Sequence, residues 1–142
     1  ILLGALMPVT EAMESTGMAD VIATQISALS AGMTGATMLT MVLVATMLVT
    51  PFLNNAATVL LMGPIAAGLA LKSGYSVDPF LMAVAIGASC DFLTPVGHQS
   101  NTLVMGPGGY KFTDYWRVGL PLSIIVVVVG VPALLWAWPL TP

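Results

Sequence analysis

Charge is what this chain has least of. Three basic and six acidic residues among 142 make it 6% charged and 58% hydrophobic, where a soluble domain carries about 25% charged residues. So few charges cannot clothe a water-facing surface. Residues 21–71 hold no charged side chain and residues 118–142 hold none either. A hydrocarbon core of about 30 Å takes roughly 20 apolar residues to cross. The second tract meets that length and predicts one final crossing; the first exceeds it twice over and predicts more than one embedded helix. The net charge of −3 comes from residues scattered at segment ends, which implies no electrostatic partner and excludes nucleic acid.

Cysteine and histidine are nearly as scarce, at one each, Cys90 and His98. They exclude an internal disulfide and a closed tetrahedral zinc site, and leave the redox compartment unread. Gly87, Gly97, Gly106, Gly108 and Gly109 build no phosphate-cradling loop, since no strand precedes them and no Lys-Ser or Lys-Thr follows. The ten methionines read as packing material rather than a copper or haem box. The opening Ile1-Leu2-Leu3-Gly4-Ala5-Leu6 has neither an initiator Met nor a basic flank, so the expectation is a piece of a longer polytopic membrane protein and not a signal peptide.

What remains is an all-α membrane chain, expected as a single transmembrane unit over 1–142. Residues 1–30 read as a truncated helix stopped at Pro8, followed by a partly amphipathic, interfacial segment carrying Glu11, Glu14 and Asp20. Residues 31–71 read as a helical hairpin whose tip lies near 50–58. Its first arm is rich in Thr, Met and small residues, which let helices approach closely and satisfy hydroxyls on their own backbone. Thr50-Pro51-Phe52-Leu53-Asn54-Asn55 fits a tight surface turn and fits equally a re-entrant tip buried in protein at membrane depth. Residues 78–106 predict a helix from about Pro79 to Leu93, interrupted over 94–102, with a short apolar piece beyond. The last span is placed at 118–138, with Trp136 and Trp138 as interfacial anchors. Lys111 and Arg117 before that span, against Lys72 alone in the other polar loop, put the Lys111 loop in the cytoplasm and Pro142 outside.

The two breaks, 50–58 and 94–102, carry the chemistry. Helices interrupted at membrane depth expose amides that suit an anion and carbonyls that suit a hard cation, the two halves of a coupled transport site. Histidine is the side chain that changes charge around neutral pH, so His98 can relay protons or donate a neutral hydrogen bond to an anion. Asp91, an intramembrane acid, is functional by default, with a structural hydrogen bond as the competing role. With Pro95 between them, Asp91 and His98 do not read as a catalytic pair.

Asn54-Asn55-Ala56-Ala57-Thr58 with Pro64, and the run from Phe92-Leu93-Thr94-Pro95-Val96-Gly97-His98-Gln99-Ser100-Asn101-Thr102 to Tyr110, resemble the divalent anion:sodium symporter family. The stretches 14–20 and 115–121 resemble it too, so the likeness covers nearly the whole chain as the family's carboxyl-terminal half. The resemblance implies one half of an inverted repeat, a re-entrant hairpin plus a broken transmembrane helix, which joins a missing amino-terminal half and dimerises when full length. It implies a substrate site at Asn54, Asn55, Ala56, His98 and Gln99. It implies a sodium site of backbone oxygens at Thr50, Leu53 and Gly97 with the Asn55 side chain, all hard oxygen donors. The family's Ser-Asn-Thr tip motif occurs here literally as Ser100-Asn101-Thr102, in the broken-helix loop, while the tip register falls on Asn54, Asn55 and Ala56. Ala56 lacks the hydroxyl that the motif's threonine would offer.

The expected function is therefore sodium-coupled transport of a small divalent anion, of the sulfate or di- and tricarboxylate class, by alternating access in a bacterial inner membrane. No organic cofactor is expected, sodium being the coupling ion, and no enzymatic activity. A proton-coupled or uncoupled anion channel or permease is the first alternative, and a membrane-embedded hydrolase using Asp91 and His98 the second.

Overall fold

The computed structural model describes residues 8, 12, 15–17, 21, 24–25, 32–53, 55–95 and 98–140. The expected segment over 1–30, and Pro142, lie largely or wholly outside them. Among the described residues the chain is helical without strands, in five helices: α1 Gly35–Val49, α2 Asn55–Ser73, α3 Val77–Ser89, α4 Gln99–Met105 and α5 Phe112–Ala137.

Helix α1 buries Met38, Leu39, Val42, Leu43, Thr46 and Met47, the three-to-four-residue spacing of one helix face. Two of its threonine hydroxyls close on the carbonyl one turn back, Thr40 Oγ1 on Ala36 O at 2.8 Å and Thr46 Oγ1 on Val42 O at 2.7 Å, and Thr37 Oγ1 pairs with Thr34 Oγ1 at 2.9 Å. The α2 arm buries Met62, Ile65, Ala66, Leu69 and Ala70. The two arms meet each other only slightly; α3 lies against both, with Phe80, Ala83 and Val84 in a common core. Close approach of α1 and α3 depends on Gly87, where an added Cβ would stand 2.8 Å from Thr46 Cβ and 2.9 Å from Leu43 O.

A left-handed Gly74 (φ 74°) closes α2, with Tyr75 N donating to Ala70 O at 2.9 Å and Gly74 N to Leu71 O at 3.2 Å. The same end of the bundle receives the end of α5, since Ser76 N donates to Leu140 O at 2.9 Å and Tyr75 stacks on Phe80 with centroids 6.4 Å apart. Helix α5 packs on α1 and α3 but keeps most of its length exposed, including Val118, Ile124, Ile125, Val128 and Val129.

Three boundaries differ from those expected. Helix α3 stops at Ser89, with Cys90 already outside helical geometry (φ −97°, ψ 63°), instead of reaching Leu93. Pro95 bars a helical Thr94 and would clash with the carbonyl of residue 91, so the last turn has nothing to continue into. Residues 90–95 are consequently non-helical, and Ser100, Asn101 and Thr102 belong to α4 rather than to the loop. Helix α5 starts at Phe112, ahead of 118, because Asp114 Oδ2 accepts the Lys111 amide at 2.8 Å and caps the first turn. Helices α2 and α5, of 19 and 26 residues, are long and apolar enough to cross a membrane; α1 and α3, at 15 and 13 residues, are shorter.

Candidate functional site

The hairpin turn begins at Thr50, which is fully buried. Its hydroxyl donates to Thr46 O at 2.8 Å and reaches Gly87 O at 3.4 Å. That second contact ties the end of α1 to the end of α3, so the turn and the break share one end of the hairpin. Beyond Thr50 the backbone satisfies itself, with Phe52 N and Leu53 N both donating to Val49 O at 3.1 and 3.3 Å. Phe52 is 87% exposed and Leu53 lies at the surface. Asn55 opens α2 half-buried and Ala56 is exposed. Asn54 lies outside the described residues.

The second interruption is built differently. Asn101, in the first turn of α4, donates from Nδ2 to Asp91 O at 3.0 Å and to Thr94 O at 3.2 Å. Thr102 Oγ1 donates to Pro95 O at 2.6 Å. Three carbonyls of the non-helical stretch are thus taken up by two side chains of the helix that follows, as an unwound segment away from water requires. From α5, the Tyr115 hydroxyl donates to Asn101 O at 2.7 Å. One turn further on, Gly119 meets the loop so closely that an added Cβ would fall 2.2 Å from Phe92 O.

His98 is exposed at the entrance to α4, its carbonyl accepting from Asn101 N at 3.0 Å. Gln99 begins the helix. Gly97 lies outside the described residues. Asp91 is 3% exposed, and neither carboxylate oxygen has a hydrogen-bond partner among the described residues; it interacts electrostatically with His98 across the break. A buried carboxylate without donors works against folding, which sets Asp91 apart from the core around it. Thr58, in the first turn of α2, is fully buried with its hydroxyl equally without a partner.

Of the residues expected to bind, Thr50 stands at the α1–α3 junction, Leu53 and Ala56 at the surface of the turn, Asn55 at the start of α2, and His98 and Gln99 at the start of α4. The roles of Asn101, Thr102, Tyr115 and Gly119 in holding the break were not read from the sequence. Tyr115 and Gly119 are four residues apart and so share a helix face, and that spacing was the available signal. The carbonyl-rich end of α3 suits a cation and the amide-rich start of α2 an anion. Metal-binding groups of three or more His, Cys, Asp or Glu are absent among the described residues.

An uncharacterized transporter of Synechocystis is 40% identical over 127 residues, covering 89% of this chain and 21% of its own length. A putative sulfur deprivation response regulator of Chlamydomonas reinhardtii is 43% identical over 124 residues, 87% of this chain and 21% of its own. Sodium/sulfate cotransporter 1 of the same alga is 33% identical over 132 residues, 90% of this chain and 15% of its own. The chain thus spans about a fifth of the length of these curated relatives. The model for citrate transporters matches residues 1–142. A transporter family sets the hydrolase reading aside and makes this a membrane protein, in keeping with its apolar helices and the resemblance drawn from its motifs: the chain belongs to the citrate transporter family.

Proposed function

We propose that this chain forms one half of a sodium-coupled symporter for a small divalent anion of the sulfate or di- and tricarboxylate class. The observation that carries the reading is a non-helical stretch between α3 and α4 in so apolar a chain, with Asp91 buried in it and its carbonyls at 91, 94 and 95 taken up by Asn101 and Thr102. In a membrane protein such irregular backbone is tolerated only where it is buried in protein or lines a cavity, and there it offers the groups that a coupled transport site uses. The names of the sodium/sulfate relatives favour sulfate and sodium among the candidates.

In this reading the anion meets the amides and the side chain at the start of α2, at Asn55, Ala56 and the neighbouring Asn54. His98 and Gln99 approach it from the break. Sodium is held by backbone oxygens of Thr50, Leu53 and Gly97 with the Asn55 amide oxygen, and offsets the negative charge of the substrate. A hairpin-and-break pair from outside this chain completes the site, and the whole transporter works as a homodimer in a bacterial inner membrane. The experiment is uptake of labelled sulfate and labelled citrate by the full-length protein in proteoliposomes. Accumulation of either that depends on an inward sodium gradient is expected. Downhill flux indifferent to sodium would make the protein a channel, accumulation driven by a proton gradient alone would replace the coupling ion, and uptake of neither anion would sink the reading.

A further inference from the structure

We propose that Asn101, seated by Tyr115, is a positioning residue that sets the pose of the 90–95 loop and through it the affinity of the site for its anion. The Ser100-Asn101-Thr102 triplet then works as a brace and not as a ligand. The inference rests on the transport reading for its consequence, and on geometry for its mechanism.

The loop has four attachments. Asn101 Nδ2 holds the carbonyls of Asp91 and Thr94 at 3.0 and 3.2 Å, and Thr102 Oγ1 holds that of Pro95 at 2.6 Å. Gly119 abuts Phe92 O. Tyr115 connects the first three to α5 by donating to Asn101 O at 2.7 Å. The amide of Asn101 suits the role because one NH2 group supplies two donors to two carbonyls ten and seven residues back, and aspartate, its nearest isostere, supplies none. Phe92, Asn101, Tyr115 and Gly119 also line a cavity of about 300 Å³. A loop released from its brace has room to shift there without displacing core side chains. His98 joins the loop to the helix that carries the brace, which Gln99 opens, so a shift of the loop against that helix moves His98 relative to Gln99.

The test uses full-length protein with any other cysteine replaced, so that Cys90, buried at 6% exposure beside Asp91, reports the loop through its rate of modification by a small maleimide. Asn101→Ala and Asn101→Asp are expected to speed Cys90 modification at least tenfold. They are also expected to raise the KM for labelled sulfate about tenfold, the scale of one or two hydrogen bonds, with Vmax per correctly folded transporter within twofold. Tyr115→Phe, which removes a hydroxyl and keeps the ring, covers the case in which the asparagine variants fail to fold, and should shift both readouts in the same direction by about threefold. Unchanged Cys90 reactivity in Tyr115→Phe together with a foldable Asn101 variant would overturn the brace, as would a lowered yield of folded protein at unchanged KM. Should wild type transport no sulfate, the transport reading fails on its own, while Cys90 protection still decides whether the brace exists.

Discussion

The two interruptions in this chain solve one problem in opposite ways. Between α1 and α2 the turn is short enough for the backbone to serve itself, with three amides closing on Thr46 O and Val49 O at 3.0 to 3.3 Å and only the Thr50 hydroxyl reaching across to α3. Between α3 and α4 the gap is longer, and side chains of α4 reach in to occupy its carbonyls while Tyr115 of α5 holds α4 at Asn101 O. The first interruption ends in exposed apolar side chains, the second in a buried acid without a hydrogen-bond donor among the described residues. A turn that closes on its own backbone depends little on its surroundings. A loop held by other helices takes its geometry from them, and answers to whatever moves them.

Glycine contacts offer the sharpest way to break that comparison. Gly119→Ala would force a Cβ to within 2.2 Å of Phe92 O, a backbone atom with no rotamer to give, whereas the worst backbone clash for Gly87→Ala is 2.9 Å. We expect Gly119→Ala to lower the stability of the full-length protein by about 3 kcal/mol and Gly87→Ala by about 1 kcal/mol, read by thermal unfolding in detergent. Equal losses would mean that the second interruption depends on α5 no more than the first depends on α3.

Next in size is the exposed His98. Under the proposed reading its ring donates to the anion, so His98→Leu should weaken binding by about 2 kcal/mol and His98→Gln, which keeps a neutral donor, by much less. Titrating sulfate into purified protein gives the two affinities, and identical values would remove His98 from the site. Thr50→Val is nearly isosteric and deletes the hydroxyl that spans to Gly87 O. It should cost about 1 kcal/mol in stability and leave the turn's backbone bonds in place; a larger loss on the same unfolding assay would show that the turn does depend on α3.

The smallest change is expected where a charge is removed from the interior. Because the carboxylate of Asp91 is buried without a hydrogen-bond donor among the described residues, Asp91→Leu should leave stability unaltered or raise it by up to about 1 kcal/mol. The same variant should lose sodium-driven uptake, since intramembrane acids that do not stabilise are retained for function. A clear drop in unfolding temperature would instead assign Asp91 a structural bond.

How much of this was legible before the structure follows from the same contrast. Proline, glycine and clustered polar residues in a charge-poor chain marked both interruptions, because those residues act locally on backbone geometry. The threonine-rich composition of α1 likewise announced hydroxyls closed on their own helix, as Thr40 and Thr46 show. The placement of Ser100-Asn101-Thr102 was not legible. Three consecutive polar residues read as loop, and become helix only because Asn101 and Thr102 turn back to carbonyls at 91, 94 and 95. The start of α5 was missed for a related reason, since counting uncharged residues passes over Asp114, whose charge caps the helix. Each was decided by a side chain that turns back three to ten residues along the chain, a choice of partner that composition and hydropathy do not register.

The contact between Gly119 and Phe92 also couples two motions. It lies about 10 Å from the start of α5, a helix about 39 Å long. The atoms that meet there are backbone on both sides and have no rotamer to give, so a displacement of α5 toward the break carries the chain at Phe92 with it, and the long arm of α5 beyond Gly119 acts on that point as a lever.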